Sequence, residues 1–221
     1  MATRRFDPER RDRIIGAALD VIAAEGVAGA SHRKIASHAG VPLGSMSYHF
    51  IGMDELLAEA FTRFSTSVSD RFDERLGRAE GIDAARQAVV DLIHEDLLDS
   101  QRDLVLTHEL YTLAARKPAF RAITHDWMAR SRRALGLHFD PDTCRMLDAL
   151  IEGLSIHAAL DAEPSNTEPS SGSEPHSRAR TAAAVARITT PGTAALDHTA
   201  PDHIAPDDPA ASDHTREATH E

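Results

Sequence analysis

The chain has 221 residues, of which 42% are hydrophobic, with a formal net charge of -11 and a single cysteine, Cys144. That length builds one large or two small domains around a true core, and one cysteine excludes an internal disulfide. No apolar run approaches the roughly 20 residues a bilayer span needs, and Met1-Ala2-Thr3 runs into Arg4 and Arg5 rather than an apolar leader, so a cytoplasmic protein without a membrane partner is expected.

The acidity is unevenly spread. Residues 1–50 carry seven basic and five acidic side chains, residues 51–160 carry 13 and 19, and residues 161–221 carry four and 11. Nucleic acid rewards Lys and Arg, so a reading head belongs at the N-terminus. There Arg4 and Arg5 are candidates for an arm that touches phosphates.

Asp7-Pro8 pairs an N-cap with a proline at the first helical position, and Ile14, Ala18 and Val21, beside Ile15, Leu19 and Ile22, predict a helix ending at Gly26. Ser31 caps a short second helix with Ile35, Ala36 and Ala39 inward, and Gly40 supplies a left-handed turn. A third helix covers about Leu43 to His49. After Gly52, the residues Leu57, Phe61, Phe64, Val68, Phe72 and Leu76 recur at three- and four-residue steps, predicting a long connecting helix.

The same period continues through Ile82, Ala85, Val89 and Leu92 or Ile93 on a fifth helix, and through Leu106, Leu110, Leu113 and Ala114 on a sixth that stops before Pro118. A seventh helix spans about Pro118 to Gly136. Asp140-Pro141 opens an eighth, whose Leu147, Leu150, Ile151, Leu154 and Ala158 form an apolar stripe suited to pairing two copies about a two-fold axis. Ser177 to Ile188 predicts a ninth. Strand signals are absent, so the class is all-α. From about Thr189 the composition cannot offset ordering entropy, and a disordered tail is expected.

Two short helices around a glycine turn, the second bearing small and polar residues, suit the major groove. Gly44 and Ser45 let the backbone approach, Ser45, Ser47, Tyr48 and His49 offer hydrogen bonds to phosphates or base edges, and Leu43 suits a thymine methyl. The helix Ile14 to Gly26, Ile35-Ala36 followed by Ala39-Gly40-Val41, Gly44-Ser45 with His49-Phe50, and Asp54-Glu55-Leu56-Leu57 together resemble the DNA-binding domain of the tetracycline-repressor (TetR) family. Three positions depart from the family pattern: Ser47 stands for an aromatic, Met53 for a lysine and His32 for an apolar residue.

The resemblance implies a helix-turn-helix domain at 1–52, a helical ligand-binding and dimerisation domain at 53–188, and a tail at 189–221. It implies a homodimeric, ligand-responsive regulator, most simply a repressor released from a palindromic double-stranded operator by a small molecule. Ser31, Arg33, Leu43, Gly44, Ser45, Tyr48 and His49 are carried over as DNA contacts. Pocket-type residues in the C-terminal domain are His108, Glu109, Tyr111, Phe120, Trp127, Met128, Cys144 and His157. The alternative is an architectural DNA-binding protein without an effector. No nucleophile-base pair or phosphate-cradling loop marks an enzyme, the 13 histidines lack metal-ligand spacing, and no cofactor or metal is expected.

Overall fold

A computed structural model of the protein describes residues 9–161 and 177–190. Along them run α1 (Arg10–Gly29), α2 (His32–His38), α3 (Gly44–His49), α4 (Gly52–Gly77), α5 (Ile82–Asp91), α6 (Gln101–Arg116), α7 (Pro118–Leu135), α8 (Pro141–Asp161) and α9 (Arg178–Thr189). A π-helical stretch, Leu92–Leu97, follows α5 directly. No strand occurs among the described residues, and the class is all-α. Arg4, Arg5, the Asp7-Pro8 cap and the tail beyond Thr190 lie outside the described residues.

The head is α1 to α3. Ile14, Ala18 and Ile22 of α1 are buried against Ile35 of α2, Met46 of α3 and Phe50, which closes the bundle. Ser31 caps α2 as its sequence predicts, its Oγ accepting the Lys34 N–H at 3.3 Å. Gly40 takes φ 63° and turns the chain back, so that the Val41 N–H reaches the Ala36 carbonyl at 3.0 Å. α1 does not stop at Gly26. The helix breaks there, at φ 70°, and adds one further turn to Gly29.

α4 carries its three- and four-step apolar positions into both neighbours. Phe64 meets Trp127 of α7 edge to face at 5.8 Å between ring centres, and Phe61 meets Phe120 likewise at 6.3 Å. α6 packs against α1, α7 and α8, and α5 packs against α9.

The expected end of the fifth helix is instead the π stretch, in which the Leu98 N–H reaches back five residues to the Ile93 carbonyl at 2.9 Å. The wider winding puts Leu92, Ile93 and Leu97 inward together, while Asp96 and Glu95 pair with Arg75. His94 meets the Thr181 hydroxyl at 2.9 Å and Arg178 reaches Asp91, tying α9 to this stretch.

Asp140 opens α8 as expected, its Oδ1 accepting the N–H groups of Asp142 and Thr143, both at 3.0 Å. The Thr143 hydroxyl and amide hold the Asp140 carboxyl below the usual carboxylate range. The expected dimer stripe lies only partly at the surface. Leu147 and Ile151 are buried in the protein's own core, and Leu150, Leu154 and Ala158 are partly buried. The exposed apolar side of α8 is rotated from it and carries Met146, Ile156 and Leu160. α9 also passes its expected limit at Ile188: Thr189 is buried and accepts from Arg86 at 2.6 Å through its hydroxyl and 3.0 Å through its carbonyl.

Candidate functional site

Two features stand out, an outward face on the head and a cavity in the helical body. On the head, Leu43 is 53% exposed and Tyr48 72% exposed, with Gly44 and Ser47 beside them at the surface. The Ser47 hydroxyl donates to the Gly44 carbonyl at 3.4 Å, and the Tyr48 ring stands edge-on to His49 at 4.9 Å.

Gly44 has no positive φ, and a Cβ built on it would meet nothing within 4 Å. The chain's own packing therefore does not demand glycine there, where it costs about 1 kcal/mol against alanine. Ser45 departs from expectation: it is only 8% exposed, turned inward together with Met46, the two adjacent positions forming the inner side of this short helix.

Arg33 is exposed on α2, whereas Lys34 pairs with Glu25 of α1. Ser31 is half-buried with its hydroxyl oxygen engaged in the cap. His32, also half-buried, leaves its Nε2 without a hydrogen-bond partner. Sequence reasoning missed Ile51, which is 92% exposed between α3 and α4. An isoleucine between Phe50 and Gly52 carries no signal that separates it from core.

In the body, α4, α6, α7 and α8 line a narrow cavity, partly open to solvent, with a free volume of only about 20 Å³. Its walls include Val68 and Phe72 of α4, Leu104, Thr107 and Tyr111 of α6, Trp127 and Met128 of α7, and Asp148, Ile151 and Glu152 of α8. Tyr111, Trp127 and Met128 are thus brought together as expected. The Tyr111 hydroxyl donates to Glu152 Oε1 at 2.7 Å. Burial pushes the carboxyls of Glu152 and Asp148 above the ordinary range, opposed by that hydrogen bond and by Arg132 respectively. Burial raises the Tyr111 phenol as well. Sequence reasoning missed both acids, since charges on a helix read as a solvated face.

The other expected pocket residues lie elsewhere. Phe120 is core, against Phe61. Cys144 is buried on the inner side of α8, its thiol donating to the Phe139 carbonyl at 3.5 Å, and burial pushes that thiol up. His157 is exposed. His108 faces a shallow groove beside α8; both its ring nitrogens lack partners, and burial lowers its pKa.

Glu109 turns to the head. Its Oε2 accepts the Val27 N–H at 3.1 Å, and its Oε1 fills the space where a Cβ on Gly26 would stand, only 2.7 Å away. The break in α1 thus frees an amide that α6 satisfies. Six to seven residues earlier, Arg102 of α6 pairs with Asp20 of α1 at 2.8 Å, and Asp103 with Arg71 of α4 at 2.7 Å.

Among the described residues no group of three or more potential ligands is placed to hold a metal ion, and no helix is long and apolar enough to cross a membrane.

Comparison with known proteins agrees with this architecture. Residues 14–60 match the family of bacterial regulatory proteins called the tetR family, and residues 76–191 match a tetracyclin repressor-like C-terminal domain. The HTH-type transcriptional regulator PksA of Bacillus subtilis (strain 168) is 32% identical over 183 residues, 72% of this chain and 83% of PksA.

Among solved structures, SCO7518 of Streptomyces coelicolor A3(2) is 59% identical, with a TM-score of 0.72 over 83% of this chain and 100% of its own. The multidrug binding protein EbrR, in complex with imidazole, is 30% identical with a TM-score of 0.67, over 86% of this chain and 100% of its own. EbrR is also solved with ethidium and with malachite green. The head, the connecting helix and the helical body are those of these relatives, and the chain belongs to the TetR family of bacterial transcription regulators, with a helix-turn-helix DNA-binding head.

Proposed function

We propose that the protein is a repressor that holds a palindromic operator as a homodimer and lets go when a small molecule fills the cavity. The observation that carries this reading is the position of α6. Leu104, Thr107 and Tyr111 line the cavity, while Arg102 and Glu109 of the same helix hold α1 of the head.

The cavity is thin, so a drug-sized guest spreads its walls, and displacement of α6 pulls on the α1 break. This gives the guest a differential interaction with two arrangements of the head, which a switch requires. A purely architectural protein has no use for such a cavity. That EbrR, a structural relative, binds several organic molecules in crystals supports a small-molecule guest.

On DNA, the outward residues Leu43, Gly44, Ser47, Tyr48 and His49 face the major groove, with Ser31 and Arg33 towards the backbone and Arg4 and Arg5 as an arm. The unforced glycine at 44 supports close approach of an external surface. The two copies meet through the exposed side of α8, where Gly153 also has open space around it.

Nuclease protection on fragments selected by the purified protein tests the reading: an inverted repeat is expected, covered by one dimer. Ile156→Glu, which places a charge on the exposed face, should sediment as a monomer. A variant that remains dimeric would put the interface elsewhere, and protection of unrelated sequences alike would leave only an architectural role.

A further inference from the structure

Three carboxylates border the cavity, and their partners differ. Asp103 is paired with Arg71 at 2.7 Å, and Asp148 has Arg132 at 3.6 Å. Glu152 accepts only the Tyr111 hydroxyl, and no basic side chain among the described residues stands within ion-pair distance of it. The rest of the lining is mainly apolar and aromatic, with Trp127, Phe72, Val68 and Ile151, and adds the hydroxyls of Thr107, Ser131 and Ser155. One carboxylate without a counter-charge in an aromatic slot complements a guest of one positive charge on an apolar body. An anion meets no basic side chain at Glu152, and among the described residues no three potential ligands are grouped to hold a small metal cation.

Given that the cavity is the effector site, we propose that its guest is a flat, apolar organic monocation whose charge sits against Glu152 and whose rings lie against Trp127 and Tyr111. Without a guest, burial favours the protonated Glu152 carboxyl, faced by Tyr111 of α6 and Asp148 of α8, with the pairs Asp103–Arg71 and Asp148–Arg132 at the margins. On binding, the carboxyl gives its proton to solvent and the carboxylate pairs with the cation. Affinity therefore rises with pH through the range just above ordinary carboxylates and then levels off.

Trp127 is the single tryptophan and lines the cavity, so its fluorescence reports occupancy. N-ethylquinolinium and its uncharged isostere 1-ethylnaphthalene make the test pair, titrated into the full chain. The cation should bind tighter than the hydrocarbon and release a proton, read by calorimetry in two buffers. Glu152→Gln, which keeps the size and the Tyr111 hydrogen bond, should weaken the cation roughly 10- to 100-fold and leave 1-ethylnaphthalene unchanged.

Asp148→Asn, which loses an acid already partnered by Arg132, should cost less. Circular dichroism of each variant checks that the fold is kept. Equal affinity for cation and hydrocarbon, or an unaffected Glu152→Gln, overturns the assignment of charge while the cavity stands as a site. No response of Trp127 to either compound overturns the effector cavity and this assignment with it.

Discussion

In the head, the buried side chains Ile14, Ile22, Ile35, Met46 and Phe50 are all apolar, and the groups offered for recognition point outward. In the body, Asp148, Glu152 and Tyr111 are turned partly inward, beside Trp127, where two of the carboxyls are held above their ordinary range. The head keeps its charged groups out of this core, at the polar cost only of Ser45 and the His32 ring, and reads DNA with what is left on its surface. The body gives up stability at the proposed effector site, since an acid buried beside aromatic rings is at odds with its surroundings until a counter-charge arrives. The contrast teaches where each kind of function is written: on an exposed face for a large flat partner, in a local inconsistency of the core for a small one.

The contrast breaks first at the head. Gly44→Asp puts a carboxylate against phosphates, where like charges cost several kcal/mol, so operator affinity at fixed salt should fall roughly 100-fold or more, with helicity and dimerisation unchanged. Unchanged affinity in mobility shifts would remove α3 from the reading face.

A smaller effect is expected where the two regions join. Glu109→Ala leaves the Val27 N–H without its acceptor, which costs about 1 kcal/mol and lowers the thermal midpoint by roughly 2–4 °C. Glu109→Gln keeps an acceptor and should recover most of the loss. Equal midpoints for Ala and Gln would show that the contact contributes nothing.

Smaller again is a gain. Because burial raises the Glu152 carboxyl, its contribution to stability is full below the ordinary carboxylate range and is lost as pH rises through the raised value. Glu152→Gln should therefore melt higher than the parent at neutral pH, and the difference should vanish at acid pH. A gain that persists unchanged into acid would assign it to packing. Least of all, stopping the chain after Thr190 should change neither midpoint nor operator affinity, whereas stopping after Ile188 removes the Thr189 contacts of Arg86, leaving it only Asp83, and should lower the midpoint.

The sequence announced the helices where capping and period agreed, as at Ser31 and at Asp140-Pro141, and the outward face of α3 followed from its small and polar residues. It could not separate the sides of α8, because apolar residues there ring most of the helix, and Leu147 turned inward while Met146 turned out. Cys144 and Phe120 look like pocket residues for the same reason that they are core residues: large or soft apolar groups fill either. Glu109 reads as a pocket residue in the sequence, but its partner, an amide freed by a break in α1, is 82 residues away and appears only in three dimensions. The π stretch has no signature in a period of three and four.

The most direct measurement concerns coupling through α6. Operator affinity of the full chain, at one salt concentration, is measured with and without saturating N-ethylquinolinium, and affinity for that cation is measured with and without operator. A guest that works through α6 lowers both affinities by one common factor, as linkage requires, and Glu109→Ala brings that factor towards one. A cation that occupies the cavity, as Trp127 reports, yet leaves operator affinity unchanged would contradict the coupling of cavity to head.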